Sequence, residues 1–169
     1  MSKKIIVLVL IVNILLLSSC SLSGGSRSDM LNKYNQDEKA DARLKQIIES
    51  IKNKDKDRIK VMFSEQALNE AKDLDERIDY LIALIKGNVE LWDRIGGSVD
   101  ETNNYGHKQI KSSFRYNVYT EQEQYLFSIL EYTKDDDNPE NVGVYSLKVI
   151  NVKDEEPKFS DAGIYKPEE

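Results

Sequence analysis

The chain has 169 residues, a formal charge of −6 and one cysteine, enough for one domain with its own core and too few for two once residues 1–19 are set aside. Acidic residues outnumber dispersed basic ones, so the basic footprint that nucleic acid requires is missing, and nucleic acid is not an expected partner. A single thiol forms no intrachain disulfide, and with His107 the only histidine there is no zinc ligand set; no metal and no cofactor is expected.

Lys3 and Lys4 precede an apolar run of 13 residues, Ile5–Leu17, which Ser18, Ser19 and Cys20 follow. Basic, apolar, small is the layout of a secretory signal peptide. The run falls short of the roughly 20 residues that a spanning helix needs. Leu17-Ser18-Ser19-Cys20 resembles a bacterial lipobox, in which the cysteine receives diacylglycerol and becomes the first residue of the mature protein. The alternative is an ordinary signal peptide beside an incidental cysteine. Removing residues 1–19, which carry two lysines and no acids, leaves 150 residues and a charge of −8. That charge repels an anionic membrane surface. Attachment then rests on the acyl chains of Cys20, at about 0.8 kcal/mol per buried methylene, with two chains holding where one is marginal. The expected location is the extracytoplasmic face of the cell membrane.

Residues 20–39 read as the lipidated cysteine and a flexible tether. Ser21–Asp37 is rich in Ser, Gly and Asn, and a coil of that length reaches about 23 Å. Residues 40–169 read as a single α+β domain. Leu44, Ile47, Ile48 and Ile51 follow the i, i+3, i+4, i+7 rule of one apolar helical stripe. The charged run Asn53–Asp57 interrupts it, and a short helix then turns Ile59, Met62 and Phe63 inward. Ser64 is placed to cap a further turn carrying Ala67, Leu68 and Ala71. Asp73 and Glu76 have capping-box spacing ahead of Ile78, Leu81, Ile82 and Ile85, and Gly87 is placed to end that helix in the left-handed conformation.

Beyond Gly87 the period changes to two. Val89, Leu91 and Ile95 alternate with Glu90, Trp92 and Arg94; Gly96-Gly97 suggests a bulge or bend, and Asn103–Gly106 a turn. Ile110, Phe114, Tyr116 and Val118 share one face. Tyr125–Tyr132, apolar on both faces apart from Ser128 and Glu131, has the pattern of a central strand. Asp135–Pro139 marks a turn, and Val142–Val152 reads as a last long strand. Helices first and then an antiparallel sheet of about four strands make an α+β domain.

The stretch Asn53–Ser64, an acidic turn leading to a helix that ends Met62-Phe63-Ser64, resembles the opening of nuclear-transport-factor-2-like domains. That resemblance implies N-terminal helices packed on a curved antiparallel sheet, forming a cone. The lipobox, the junction Gly87-Asn88-Val89-Glu90-Leu91, the long strands and the closing Ala162-Gly163-Ile164-Tyr165-Lys166-Pro167 together resemble an uncharacterised family of small Gram-positive lipoproteins thought to use that fold. The resemblance covers about residues 40–169 and brings no catalytic signature, so no catalytic residue is assigned.

The remaining candidates are individual side chains. His107 lies on the polar side of its strand and reads as a solvated strand-end residue. Asp135, Asp136, Asp137 and Asn138 form one oxygen-rich cluster, and Asp100, Asn103 and Asn104 another. Neither matches a calcium loop, since Glu140 or Tyr105 stands where glycine is required, and both read as solvated hairpin turns. Among the strand aromatics, Trp92, Tyr116, Tyr125 and Phe127 are the expected lining of a pocket, should helices leave one against the sheet. The leading expectation is a membrane-anchored, non-enzymatic module that binds a small molecule or an envelope protein. The alternative is a small isomerase- or dehydratase-like enzyme using a carboxylate inside the cone, Asp93 or Asp79, raised in pKa by apolar surroundings.

Overall fold

The computed structural model describes residues 27–158 and 161–167, so the leader and Cys20 lie outside the described residues. The chain divides into Met1–Asn35 and Gln36–Glu169. Of the first unit the helical backbone of residues 27–35 is described; the account below concerns the second.

Helix α1 spans Arg27–Lys52. It therefore begins well before Ala40, and residues 27–39 are helical where the sequence reading expects a coil. Arg27, Met30, Leu31, Lys33, Gln36, Glu38 and Lys39 are good helix formers whether or not they are apolar, so a mostly polar stretch hides a helix from a test based on apolar periodicity. Further on, the expected stripe is in place: Leu44, Ile47 and Ile51 are buried and Ile48 is half-buried. The helix stops in a Schellman turn, with Lys54 N–H donating to the Ile51 carbonyl (3.0 Å) and Asp55 N–H to the Ser50 carbonyl (2.9 Å).

Three shorter helices follow: α2 (Lys56–Lys60), α3 (Glu65–Glu70) and α4 (Leu74–Leu84). Asp55 caps α2 by accepting from Arg58 N–H at 2.9 Å, and Ser64 caps α3 by accepting from Ala67 N–H at 3.1 Å. The capping box expected at Asp73 is absent: Asp73 takes a left-handed conformation (φ 50°) and its side chain makes no cap bond. Gly87 does have positive φ (81°), but α4 ends earlier, at Leu84, with Ile85 already extended. Gly87 therefore serves the turn into the sheet rather than the helix end.

The sheet has five strands in the order β1 (Val89–Asn104), β2 (His107–Thr120), β3 (Gln124–Asp135), β4 (Gly143–Asn151) and β5 (Gly163–Ile164). All neighbours are antiparallel except β4 and β5. The α+β class stands, with five strands rather than about four; β5 is two residues long, too short to show an alternation. Phe63 adds a parallel bridge to Val144, through Ser64 N–H to the Val144 carbonyl and Val144 N–H to the Met62 carbonyl, both 2.9 Å. That bridge ties the α2–α3 connection to the rim of β4.

The core lies between the helices and one face of the sheet. Leu44, Ile47, Ile59, Ile78 and Leu81 from the helices meet Phe114, Tyr116, Val118, Tyr125, Phe127, Leu147 and Val149 from the strands. Tyr116 stands opposite Phe127, and Phe127 opposite Val149, so the inward residues form rows across three strands. The phase of β1 departs from the simple alternation. A register shift between Val89 and Leu91 turns Trp92 and Arg94 inward and leaves Leu91 61% and Ile95 48% exposed. One extra residue in a bulge reverses the face of all that follow. A second shift lies between Arg94 and Gly96, at the position where the paired glycines suggest it.

Candidate functional site

Helix α1 presents two neighbouring stripes. Leu44, Ile47 and Ile51 enter the core, while Lys45, Ile48, Glu49 and Lys52, at i, i+3, i+4 and i+7, share the adjacent face. Beside that second stripe is an open cavity of about 440 Å³, lined by α1, the end of α4, the start of β1 and Phe127 of β3. Ile48, Ile51, Ile82, Ile85, Trp92 and Phe127 are its apolar lining. Lys45, Lys52, Lys54, Glu49, Asn88 and Glu90 stand around the mouth. A volume of this size with apolar walls and a few polar groups at one end is what small-molecule sites have.

The bulge at Val89/Leu91 makes the site, because without it Trp92 would point away. Trp92 packs edge-on against Tyr116, with ring centroids 5.8 Å apart and planes at 77°, and the ammonium of Lys45 lies 5.6 Å from the indole centroid. Phe127, 1% exposed, closes the bottom. Of the four aromatics expected to line a pocket, Trp92 and Phe127 line this one, Tyr125 lines a separate cavity of about 380 Å³ beside Leu84, Lys86 and Lys153, and Tyr116 packs against Trp92. Tyr116 is fully buried, and its hydroxyl donates to Asp41 Oδ1 at 3.1 Å. Burial, with the Asp41 carboxylate adding to it, raises that phenol far above its ordinary pKa. Tyr125 Oη donates to the Leu84 carbonyl and accepts from Lys86 N–H, both at 3.0 Å. It thereby fixes the end of α4, and with it the wall that Ile82 and Ile85 provide.

The two carboxylates considered as interior acids are outside. Asp79 is exposed and pairs with Lys56 on the surface. Asp93 is exposed on the face of β1 opposite Trp92 and accepts from Asn117 Nδ2 at 3.5 Å. The bulge that turns Trp92 inward turns Asp93 outward, and α4 faces the core with Ile78 rather than Asp79. His107 is exposed at the start of β2, its Nδ1 2.7 Å from Asp137 Oδ1.

Asp135 is also not the solvated turn residue expected from the run of acids. It is 4% exposed, and it accepts from Gln109 Nε2 (2.7 Å), Asn141 Nδ2 (2.8 Å) and Asn138 N–H (3.0 Å). Burial alone would raise its pKa, but these hydrogen bonds outweigh that and hold the carboxyl below its usual range. Asp135 organises the β3–β4 connection around the short 3₁₀ turn Pro139–Asn141. Among the described residues no group of three or more His, Cys, Asp or Glu side chains is disposed to hold a metal.

Two half-buried ionic clusters join α1 to the sheet. Arg43 donates from Nε (3.0 Å) and Nη2 (2.6 Å) to Glu131 Oε1. Arg94 Nη1 lies 3.2 Å from Asp37 Oδ1 and 3.6 Å from Asp41 Oδ1, while its guanidinium sits 5.5 Å from the Phe114 ring centroid. The Arg94 approach lacks hydrogen-bond geometry at Nη1, so the attraction is that of charge alone. The first cluster ties α1, one side of the cavity, to β3, and the second ties it to β1. Sequence alone does not single out the lysines of the mouth, although Lys45 and Lys52 share the 45/48/49/52 face; Lys54 lies beyond the helix end.

No curated protein matches the chain. A family model described as Domain of unknown function (DUF5104) matches residues 46–153, from the second half of α1 to just past β4, a span that takes in every wall of the cavity. By that match over more than half its length, the chain belongs to the DUF5104 family.

Proposed function

We propose that the protein is a lipid-anchored module on the extracytoplasmic face of the cell membrane that holds a small molecule in the cavity between α1, α4 and β1, binding rather than converting it. The observation that carries this reading is the cavity itself, about 440 Å³ and lined by Trp92 and Phe127. Binding is favoured over catalysis because, among the described residues, the only carboxylates at the cavity are Glu49 and Glu90, and the candidate acids Asp79 and Asp93 face solvent. The order of helices before a mainly antiparallel sheet supports a nuclear-transport-factor-2-like assignment, in which a helical cover leaves space against the sheet. The sequence Leu17-Ser18-Ser19-Cys20 supports attachment through acyl chains. Among the described residues no helix is long and apolar enough to cross a membrane.

Trp92 is the only tryptophan, so its emission reports on the cavity alone. Titrating the full chain with a lipid extract of the bacterial envelope should shift that emission saturably. It should also raise the melting temperature, since a ligand at a hundred times its Kd adds about 2.7 kcal/mol. A flat titration with an unmoved melting temperature would contradict the binding reading. The anchor is tested separately: labelled palmitate should enter the wild-type protein, and Cys20→Ala should abolish both labelling and membrane association. Unlabelled wild-type protein would remove the anchor from the account.

A further inference from the structure

We infer that the cavity takes an amphipathic anion, with an apolar body among Ile48, Ile82, Trp92 and Phe127 and one acidic group at the mouth held by Lys45, Lys52 and Lys54. The inference rests on the cavity being a ligand site and adds the chemical class of the ligand. Its first support is charge. Three lysines, Lys45, Lys52 and Lys54, line the one cavity, and among the described residues none of them has a carboxylate partner. Of the two carboxylates there, Glu49 is engaged by Arg58 Nη2 at 3.3 Å, which leaves Glu90 against three cations. A positive opening on a chain of net charge −6 is a local reversal, and an apolar interior behind it selects a ligand with one charged end.

The second support is backbone geometry. Lys54 occupies the C′ position of the Schellman turn, with φ 53°. Glycine is the usual residue there because a Cβ is strained at positive φ. The fold would gain from glycine at this position, yet a lysine stands there, and its side chain lines the mouth. Of the three non-glycine residues at positive φ, Lys54, Asp73 and Tyr105, Lys54 is the one that lines the cavity, and strained backbone is concentrated at ligand sites. Lys45, placed 5.6 Å from the Trp92 centroid, sits where the apolar interior ends and the charged opening begins.

The test uses four ten-carbon probes on the full chain, read by Trp92 emission: decanoate, decyl phosphate, decanol and decyltrimethylammonium. At low ionic strength either anion should bind at least about tenfold tighter than decanol, and the cation weakest of all. The margin should shrink in high salt as the charges at the mouth are screened. Whichever anion binds tighter distinguishes a free carboxylate from a lipid phosphate headgroup, and either result supports the inference. Lys54→Gly should raise the melting temperature and weaken the preferred anion about threefold, the size of one exposed ion pair, while decanol binding stays unchanged. Decanol matching the anions, or Lys54→Gly leaving anion affinity intact, would overturn the inference and leave the cavity standing as a neutral ligand site. No response to any probe would overturn both readings.

Discussion

Replacing Gly97 by alanine would set a Cβ 2.2 Å from Phe114 Cδ1, 2.7 Å from Cε1 and 2.9 Å from the Ser113 carbonyl oxygen, whereas a Cβ on the adjacent Gly96 meets nothing within 4 Å. Gly97 pairs directly with Phe114 across the β1–β2 ladder, and the ring lies over the space a side chain would fill. Phe114 is 5% exposed and has the Arg94 guanidinium beside its face, so it has little room to retreat. Overpacking of this kind costs about 1–3 kcal/mol. Against it stands the reduced freedom of the unfolded chain, a gain of about 0.4–1 kcal/mol when glycine becomes alanine without strain. The net expectation for Gly97→Ala is a loss of about 1–2 kcal/mol, or about 4–8 °C in melting temperature for a domain of this size. Gly96 has no positive φ, so Gly96→Ala should show the gain alone, about 0.4–1 kcal/mol. Urea unfolding of the two variants beside the wild type, with m-values unchanged, gives both numbers. Equal effects from the two substitutions would refute the proposed packing of Phe114 under Gly97 and the β1 register on which the site depends.

Arg43→Met should lose about 2 kcal/mol, because Glu131 keeps only 10% of its side chain exposed and would be left unpaired; adding Glu131→Gln should recover more than half of that in a double-mutant cycle. Asp135 has a folded-state pKa below its unfolded value, so its stabilising contribution is complete above the ordinary carboxylate pKa and is lost as pH falls through the lower folded value. Unfolding free energies measured from pH 6 to pH 2 should therefore drop below about pH 4. Asp135→Asn should flatten that acid limb and lower stability at pH 6, since Gln109 Nε2 and Asn141 Nδ2 donate to one carboxylate oxygen and Asn138 N–H to the other, so an amide NH2 would face a donor. Tyr125→Phe removes the hydroxyl that bonds Leu84 and Lys86; it should cost about 1–2 kcal/mol and shift Trp92 emission as the α4 wall loosens.

Local rules carried much of this fold to the surface of the sequence. The stripe at Leu44, Ile47 and Ile51, the Ser64 cap and the inward set Ile110, Phe114, Tyr116 and Val118 all obey spacings that depend only on the element they belong to. What escaped depends on partners distant in sequence. The phase of β1 is set by a bulge against Thr120 and Tyr119, and no periodicity within Val89–Asn104 marks it; read without the bulge, Leu91 turns inward and Asp93 becomes an interior acid. Asp135 reads as a turn residue because its neighbours are acids, and its burial depends on Gln109 from another strand and Asn141 beyond the turn. Trp92 and Phe127 were legible as aromatics on strands, while Tyr116 and Tyr125, equal candidates by composition, are turned by their hydroxyl partners Asp41 and Leu84 into supports. Lys45 and Lys52 had the helical spacing of a face, but a charged face is the ordinary state of a helix in water and carries no signal until a cavity is found beside it; Lys54 lies past the helix end, where no helical period applies.

The cavity is the centre of this account, and the most direct measurement is of what it carries. The protein isolated from its own cells and an Ile82→Trp variant, in which a larger side chain fills the wall, can be compared by native mass spectrometry after matched folding is shown by circular dichroism. The account predicts a small molecule bound one to one in the wild type and absent from the variant. Equal occupancy in the two proteins, or none in either, would contradict it.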